Sequence, residues 1–389
     1  RFVALVSEPL RCNALFFMFM YVLGCICAWA TLPDVRGAHL YKNLFPELFL
    51  DVYMLALVLT LLPRRVRPWV RGIFYFILYV VALVDVYCFV KFHSSLTPTM
   101  LLLVGETDTR EAGEFLRSCV SPDILFSNVG WVVLLMFIHL LVTLQLRFPH
   151  FVPKNWCRLF WSLLDRFGLM FKRVRPVSQW TVFLLLIGSV ASSSYNKAAF
   201  IKLMSGRTIG DVEHTLTEKR HANLYQPIYR LVFSLYANTL TAKQVDRLVS
   251  RVDKVKVDSC SFRSPNIVLI IGESYNRHHS AQYGYSMPTT PRQQKLEKQG
   301  RLVKYTDVVS PWNLTSFVFK HIFSLYTVGD KGEWCDYPLF PAVFRKAGYH
   351  VTFITNQFLP KAGEAVYDFS GGFFLNNPKL SAAQFDTRN

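Results

Sequence analysis

Glu273 and Thr315 are the two side chains whose surroundings suit covalent or metal-assisted chemistry. Glu273 follows Asn266-Ile267-Val268-Leu269-Ile270-Ile271-Gly272, a short aliphatic run that reads as a strand buried on both faces of a parallel sheet. Ligands gather beyond the C-terminal ends of such strands, so a carboxylate there could hold a divalent metal. Capping of the next helix is the alternative role. Thr315 lies in Ser310-Pro311-Trp312-Asn313-Leu314-Thr315-Ser316-Phe317, where Pro311 and Asn313 interrupt the chain and the apolar residues that follow suit a helix. A residue near a helix N-terminus meets unpaired N–H groups and a dipole that favour an anion. A hydroxyl placed there and ionised by a metal could attack phosphorus, and an ordinary Thr cap is the alternative. Asn313-Leu314-Thr315 also forms a glycosylation sequon, a weak three-residue pattern. His278, His279 and His321 could approach a metal or phosphate, although solvent-facing or helix-packing roles suit each better. No glycine-rich nucleotide loop, HExxH or CxxC pair occurs.

These residues need a scaffold, and the sequence around them reads as α/β. Leu339–Ala347 suits a helix, Gly348 its C-terminal stop, and His350–Thr355 a second strand. Upstream, Pro227–Tyr236 has an amphipathic pattern. It suits either the membrane interface, with Arg230 reaching the head groups, or packing on the soluble domain. Gln244–Lys256 reads as a charged linker helix leading to a boundary near Ser264.

Before Tyr195 the composition changes character. Of 389 residues 52% are hydrophobic, and most of these fall in long runs, which favours a membrane domain over one globular core. Five segments approach the roughly 20 apolar residues that a bilayer crossing requires: Asn13–Leu32, Glu47–Leu62, Gly72–Phe92, Asn128–Leu146 and Gln179–Tyr195. The second carries Asp51, and the third carries Asp85, which must face other helices or a polar cavity. Arg64, Arg65, Arg67 and Arg71 fill one inter-span loop; Arg147, Lys154, Arg158, Arg166, Lys172, Arg173 and Arg175 fill another. Both loops are therefore expected in the cytoplasm. The intervening loop holds Glu106, Asp108, Glu111, Glu114 and Asp123. An odd number of spans then sends everything after Tyr195 to the opposite side. This clustering at membrane borders accounts for much of the net charge of +17 and argues against a nucleic-acid partner. The eight cysteines make no zinc pattern, and a Cys260–Cys335 bridge is one open pairing on the outward side.

Gly272-Glu273-Ser274-Tyr275-Asn276-Arg277, then Tyr283-Gly284-Tyr285 and Thr289-Thr290-Pro291, resembles the opening of the phosphoethanolamine transferase catalytic domain of the alkaline phosphatase and sulfatase superfamily. Thr107–Phe115, the Thr315 region, and Ala347-Gly348-Tyr349 with Thr355-Asn356-Gln357 resemble the same family. The expected organisation is a membrane α-helical domain of five transmembrane helices over 1–195, interfacial helices and linker over 196–264, and part of a sulfatase-like α/β domain over 265–389.

The resemblance implies transfer of phosphoethanolamine from phosphatidylethanolamine to a lipopolysaccharide or glycan acceptor, with the catalytic domain in the periplasm of a bacterial inner-membrane protein. It makes Thr315 the nucleophile and Glu273 and Thr315 zinc ligands. It puts Asn313 and His321 at the substrate, and Glu111 and Glu114 near the lipid ammonium. The spacing of Asn276-Arg277 after Glu273 looks closer to members that modify core sugars or periplasmic glucans. The family's Asp-His ligands and later histidines have no match before Asn389, so the chain reads as an N-terminal piece that is inactive alone. A phosphoglycerol transferase of the same superfamily is the nearest rival, and a non-catalytic glycan-binding protein the rival from another class.

Overall fold

The computed structural model describes residues 2–34, 36–98, 100–101, 122–148, 175–260, 264–272, 275–310, 315–354, 375 and 378–388. The chain divides into two compact units, residues 1–242 with 359–368, and residues 243–358 with 369–389.

The first unit is helical. α1 (Phe2–Cys12) and α2 (Ala14–Ala30) are joined at Asn13 with a bend of 73°. α3 (Leu44–Leu61), α4 (Arg67–Phe92), α5 (Asn128–Arg147) and α6 (Arg175–Met204) follow, with a single turn at Pro122–Leu125 before α5. α7 (Ile209–Thr217) follows, and α8 (Pro227–Val252) closes the set, its residues from Lys243 onward belonging to the second unit. Helices therefore occupy all five expected segments. Among the described residues, however, α3, α4 and α5 are the helices long and apolar enough to cross a membrane, with the bent α1–α2 pair a fourth if it counts as one span. Three to four candidate spans are thus present among the described residues. α6 runs well past Tyr195, and its serines and Lys197 dilute its apolar half.

Local chemistry explains several helix ends. At the join of α1 and α2 the Asn13 amide donates to Ala56 O at 3.2 Å and Thr60 Oγ1 at 3.0 Å, tying the bend to α3. Arg67 donates to the carbonyls of Thr60 at 3.0 Å and Leu62 at 3.2 Å, satisfying the otherwise unpaired end of α3. The Thr208 hydroxyl accepts from Asp211 N while the Asp211 carboxylate accepts from Thr208 N, a reciprocal cap for α7. The core of this unit interleaves Phe16, Phe19, Met20, Leu23, Leu48 and Val52 with Ala82, Val86, Val129 and Val132. Gly24 allows close approach: a Cβ there would stand 2.5 Å from Leu48 Cδ1 and 3.0 Å from Gln226 Oε1, so both side-chain ends would have to move aside.

The second unit has α9 (Pro291–Lys298), α10 (Thr315–Phe323), α11 (Phe340–Lys346) and α12 (Pro378–Gln384). Strands β1 (Thr352–Phe353) and β2 (Thr387–Arg388) pair in parallel, Thr352 opposite Thr387. The α11–Gly348–β1 sequence matches expectation. Gly348 has φ of +90°, the left-handed conformation that ends a helix and that glycine adopts without strain. Two expectations fail. The run Asn266–Gly272 forms no strand, and Val268 and Ile270 are 81% and 86% exposed; among the described residues no chain pairs with it. Pro227–Tyr236 and Gln244–Lys256 are not separate elements, because one continuous helix, α8, runs through to Val252.

Candidate functional site

α10 begins at Thr315, and its anchoring is plain in the residues that follow. Phe319 and Phe323 are buried with Trp334, Leu339, Leu375, Leu380 and Phe385, beside Val245 and Leu248 of α8. Phe323 stacks on Phe340 at 5.0 Å, and the Ser324 hydroxyl donates to Trp334 O at 2.7 Å. The buried Lys320 ammonium lies over the Trp334 ring at 5.8 Å. His321 is half-buried, with its ring edge-on to Tyr326 at 5.6 Å. The helix that carries Thr315 is thus fixed from its second turn onward. The Thr315 side chain, Asn313, Glu273, Glu111 and Glu114 lie outside the described residues.

The segment after residue 274 is held by side-chain-to-backbone bonds. Asn276 Oδ1 accepts from His278 N at 2.9 Å, and Arg277 donates to Thr306 O at 3.0 Å. Thr289 and Thr290 hydroxyl oxygens each accept at 3.0 Å, from Ala281 N and Gln282 N, while Pro291 opens α9. Tyr283 donates to Tyr305 O at 3.0 Å, and Gly284 has φ of +99°. The Tyr-Gly-Tyr and Thr-Thr-Pro stretches therefore shape the loop. His278 and His279 are exposed.

Cys335 is a buried thiol between Arg247 and Glu333, so the Cys260–Cys335 bridge does not form. Burial pushes this thiol up to about 11, which leaves it protonated and unreactive at neutral pH. Among the described residues no three His, Cys, Asp or Glu side chains converge on a metal position. Zinc takes four ligands, and Glu273 and the Thr315 side chain, which would supply two oxygens, lie outside the described residues.

Two polar centres inside the helical unit were only half visible in the sequence. Asp85 of α4 is fully buried; it accepts from Arg230 of α8 and from Leu96 N at 2.9 Å. Arg230 also donates to Leu224 O at 2.9 Å and Thr31 Oγ1 at 3.3 Å. Asp85 therefore faces protein, as expected, whereas Arg230 is buried against it instead of reaching head groups. In the second centre Lys197 of α6 donates to Asp51 Oδ1 at 2.6 Å and lies 3.8 Å from Glu47 Oε2. Its ammonium sits over the rings of Tyr229 at 4.5 Å and Tyr225 at 5.5 Å. Both tyrosine hydroxyls donate to Asp51 Oδ2, and Tyr41 and Asn196 donate to Glu47. Burial, then the Asp51 charge, pushes both phenols far above the ordinary tyrosine range, so they stay protonated as donors. Asp51 marked its span as unusual, but nothing in sequence tied it to Lys197, 146 residues away.

Residues 265–382 match the family model for sulfatases. This part of the chain is a sulfatase-family domain. The match covers the Thr315 helix, α9, α11 and β1. Beyond this domain the similarity extends into the helical unit. The chain is 23% identical over 305 residues to phosphoethanolamine transferase CptA of Salmonella typhimurium, covering 76% of this chain and 47% of that protein. It is 21% identical over 298 residues to phosphoethanolamine transferase EptC of Escherichia coli, again 76% of this chain and 47% of the other. The chain spans about half the length of these curated relatives. No solved structure matches it.

Proposed function

We propose that the protein carrying this chain transfers phosphoethanolamine from phosphatidylethanolamine to a cell-envelope glycolipid or glycan, with Thr315 as the nucleophile. The observation that carries this reading is the extent of the similarity: it covers 76% of the chain and so reaches from the sulfatase-family domain into the helical unit. A lipid-borne donor suits a catalytic domain tied to several candidate membrane spans.

In the first step the Thr315 oxygen forms a bond to phosphorus, the bond from phosphorus to the diacylglycerol oxygen breaks, and the threonine proton ends on diacylglycerol. In the second, an acceptor hydroxyl attacks the same phosphorus and the threonine oxygen leaves, recovering its proton. Thr315 is the first residue of α10, so the unpaired N–H groups of that helix's first turn favour the phosphate charge. Asn313 and His321 are proposed to contact the phosphoryl group, and Glu111 and Glu114 the ethanolamine ammonium. A divalent metal, zinc in this proposal, held in part by Glu273 and Thr315, would polarise the phosphoryl oxygens. The basic inter-span loops are proposed to face the cytoplasm and the sulfatase-family domain the periplasm.

Full-length wild type and Thr315→Ala, incubated with phosphatidylethanolamine, give the test by mass spectrometry. A phosphoethanolamine adduct is expected on the wild-type peptide that contains Thr315, with diacylglycerol released. The variant is expected to lose both, with turnover falling on the order of 10³-fold or more. A wild-type protein that forms no adduct and releases no diacylglycerol after zinc loading sinks the proposal.

A further inference from the structure

The chain on either side of Glu273 is anchored, and the two anchors lead to Thr315 by different routes. Ile271, two residues before Glu273, packs against the core that holds Phe319 and Phe323 of α10, the helix that Thr315 opens. Arg277, four residues after Glu273, donates from Nη1 to Thr306 O at 3.0 Å, in the segment that runs on to Thr315. Two further bonds continue this seam. Lys304 donates to Gln282 O at 2.9 Å, and the Tyr283 hydroxyl donates to Tyr305 O at 3.0 Å. The Lys304 ammonium also lies over the Tyr283 ring at 5.5 Å and pairs with Glu297 of α9 at 3.1 Å.

Side chains make this seam where a backbone ladder does not. Among the described residues neither 276–283 nor 302–309 belongs to a strand, so no strand pairing fixes one segment against the other. A single exposed bond to a carbonyl contributes little. Two of the three donors here are charged, which makes such bonds roughly twice as strong as neutral ones, and the three act on adjacent carbonyls and side chains of one seam.

We infer that Arg277 is a positioning residue for the transfer reaction, acting with Tyr283 and Lys304. It holds the stretch after Glu273 to the chain that leads to Thr315, so that the two groups keep one separation. The inference rests on the proposed function for the roles of Glu273 and Thr315, and it deepens that reading by naming what keeps them in register. Arg277 touches neither the phosphorus nor the lipid in this role. A misplacement of about 1 Å costs a catalytic group about 10²-fold in rate, so loss of the seam lowers turnover while lipid binds as before.

The test follows adduct formation on Thr315 by quenched-flow mass spectrometry, with full-length protein and increasing phosphatidylethanolamine in mixed micelles. Arg277→Met keeps the apolar stem and loses the donor. It is expected to lower the saturating rate about 10²-fold, with the half-saturating lipid concentration within about twofold of wild type. Arg277→Lys returns one donor to Thr306 O and is expected to recover most of that rate. Tyr283→Phe removes one hydroxyl and no charge, and is expected to lower the rate about tenfold. Amide hydrogen exchange in residues 302–309 is expected to quicken about tenfold in Arg277→Met. A folded Arg277→Met that forms the adduct at the wild-type rate overturns the inference. So does one whose half-saturating concentration rises while its saturating rate holds, because Arg277 is then a lipid contact. Should Arg277→Met not fold, Tyr283→Phe decides in its place, and wild-type rate and exchange there overturn the inference. A wild type that forms no adduct sinks the transfer reading itself. Exchange then decides whether the seam stands without it, and unchanged exchange in Arg277→Met removes the seam as well.

Discussion

Asp85 illustrates how one residue's cost is met by a partner far along the chain. A carboxylate buried among apolar helices is expensive unless it is paired and hydrogen-bonded, and Arg230 and Leu96 N supply both. Removing one partner leaves the other charge stranded. Arg230→Met is therefore expected to destabilise the helical unit by about 3–5 kcal/mol. Asp85→Leu combined with Arg230→Met, which removes both charges, is expected to recover most of that loss. Thermal unfolding in detergent, followed by circular dichroism, distinguishes the two; equal losses in the single and double variants would show that the ion pair is not the cause. The sequence marked Asp85 as a residue that must face protein, because hydrocarbon forbids the alternative. For the segment holding Arg230 two settings stood open, the head groups or packing on the soluble domain, and Arg230 instead pairs with a buried acid 145 residues away.

Among the elements, helices were more legible than strands: β1 falls within the expected His350–Thr355, whereas Asn266–Gly272 forms no strand. A helix bonds within its own segment, so α3, α4 and α5 follow from local apolar runs to within a few residues. A parallel strand is completed by chain far away. The Val268–Ile270 run has the composition of a buried strand yet stands exposed, while β1 exists because Thr387 and Arg388 return beside it. The Asp386 carboxylate helps to hold that return: it accepts from Val351 N at 2.8 Å and pairs with Arg345 at 2.9 Å. The Val351 backbone bond, followed by the Arg345 charge, holds Asp386 below the usual carboxylate range. A depressed folded-state pKa gives stability that is present above the unfolded value, near 3.8, and lost as pH falls through the lower folded value. Melting of the second unit is thus expected to become less stable below about pH 4, with a shallower acid dependence in Asp386→Asn. Identical acid profiles for the two proteins would remove Asp386 from the account.

At the scale of the whole molecule, the direction of insertion depends on how many helices cross the membrane. In the proposed topology the basic loop holding Arg64, Arg65, Arg67 and Arg71 puts one end of α3 and α4 in the cytoplasm. Counted from that loop, placing the sulfatase-family domain on the other side requires α6 to cross as well as α4 and α5. Cysteines introduced at the exposed positions Arg65 and Lys254, with Cys12, Cys119, Cys157 and Cys260 changed to serine, report on this directly. In intact spheroplasts a membrane-impermeant maleimide is expected to label Lys254→Cys and to label Arg65→Cys only after permeabilisation. Labelling of both under the same condition would mean that α6 does not cross.

The sequence by itself determined the apolar helices, the basic loops between them, the helix–glycine–strand passage around Gly348 and the resemblance carried by the Glu273 and Thr315 stretches. Each depends on neighbours within one segment, where periodicity, capping and charge bias act locally. Tertiary structure alone decided that Arg230 seeks Asp85, that Lys197 lies between Asp51 and two tyrosine rings, that Cys335 is sealed beside Arg247, and that α8 is one helix. Those pairings cross scores of residues, and burial of charge enforces them: in a low-dielectric bundle an acid accepts whichever donor the fold delivers, and the sequence does not record which one that is.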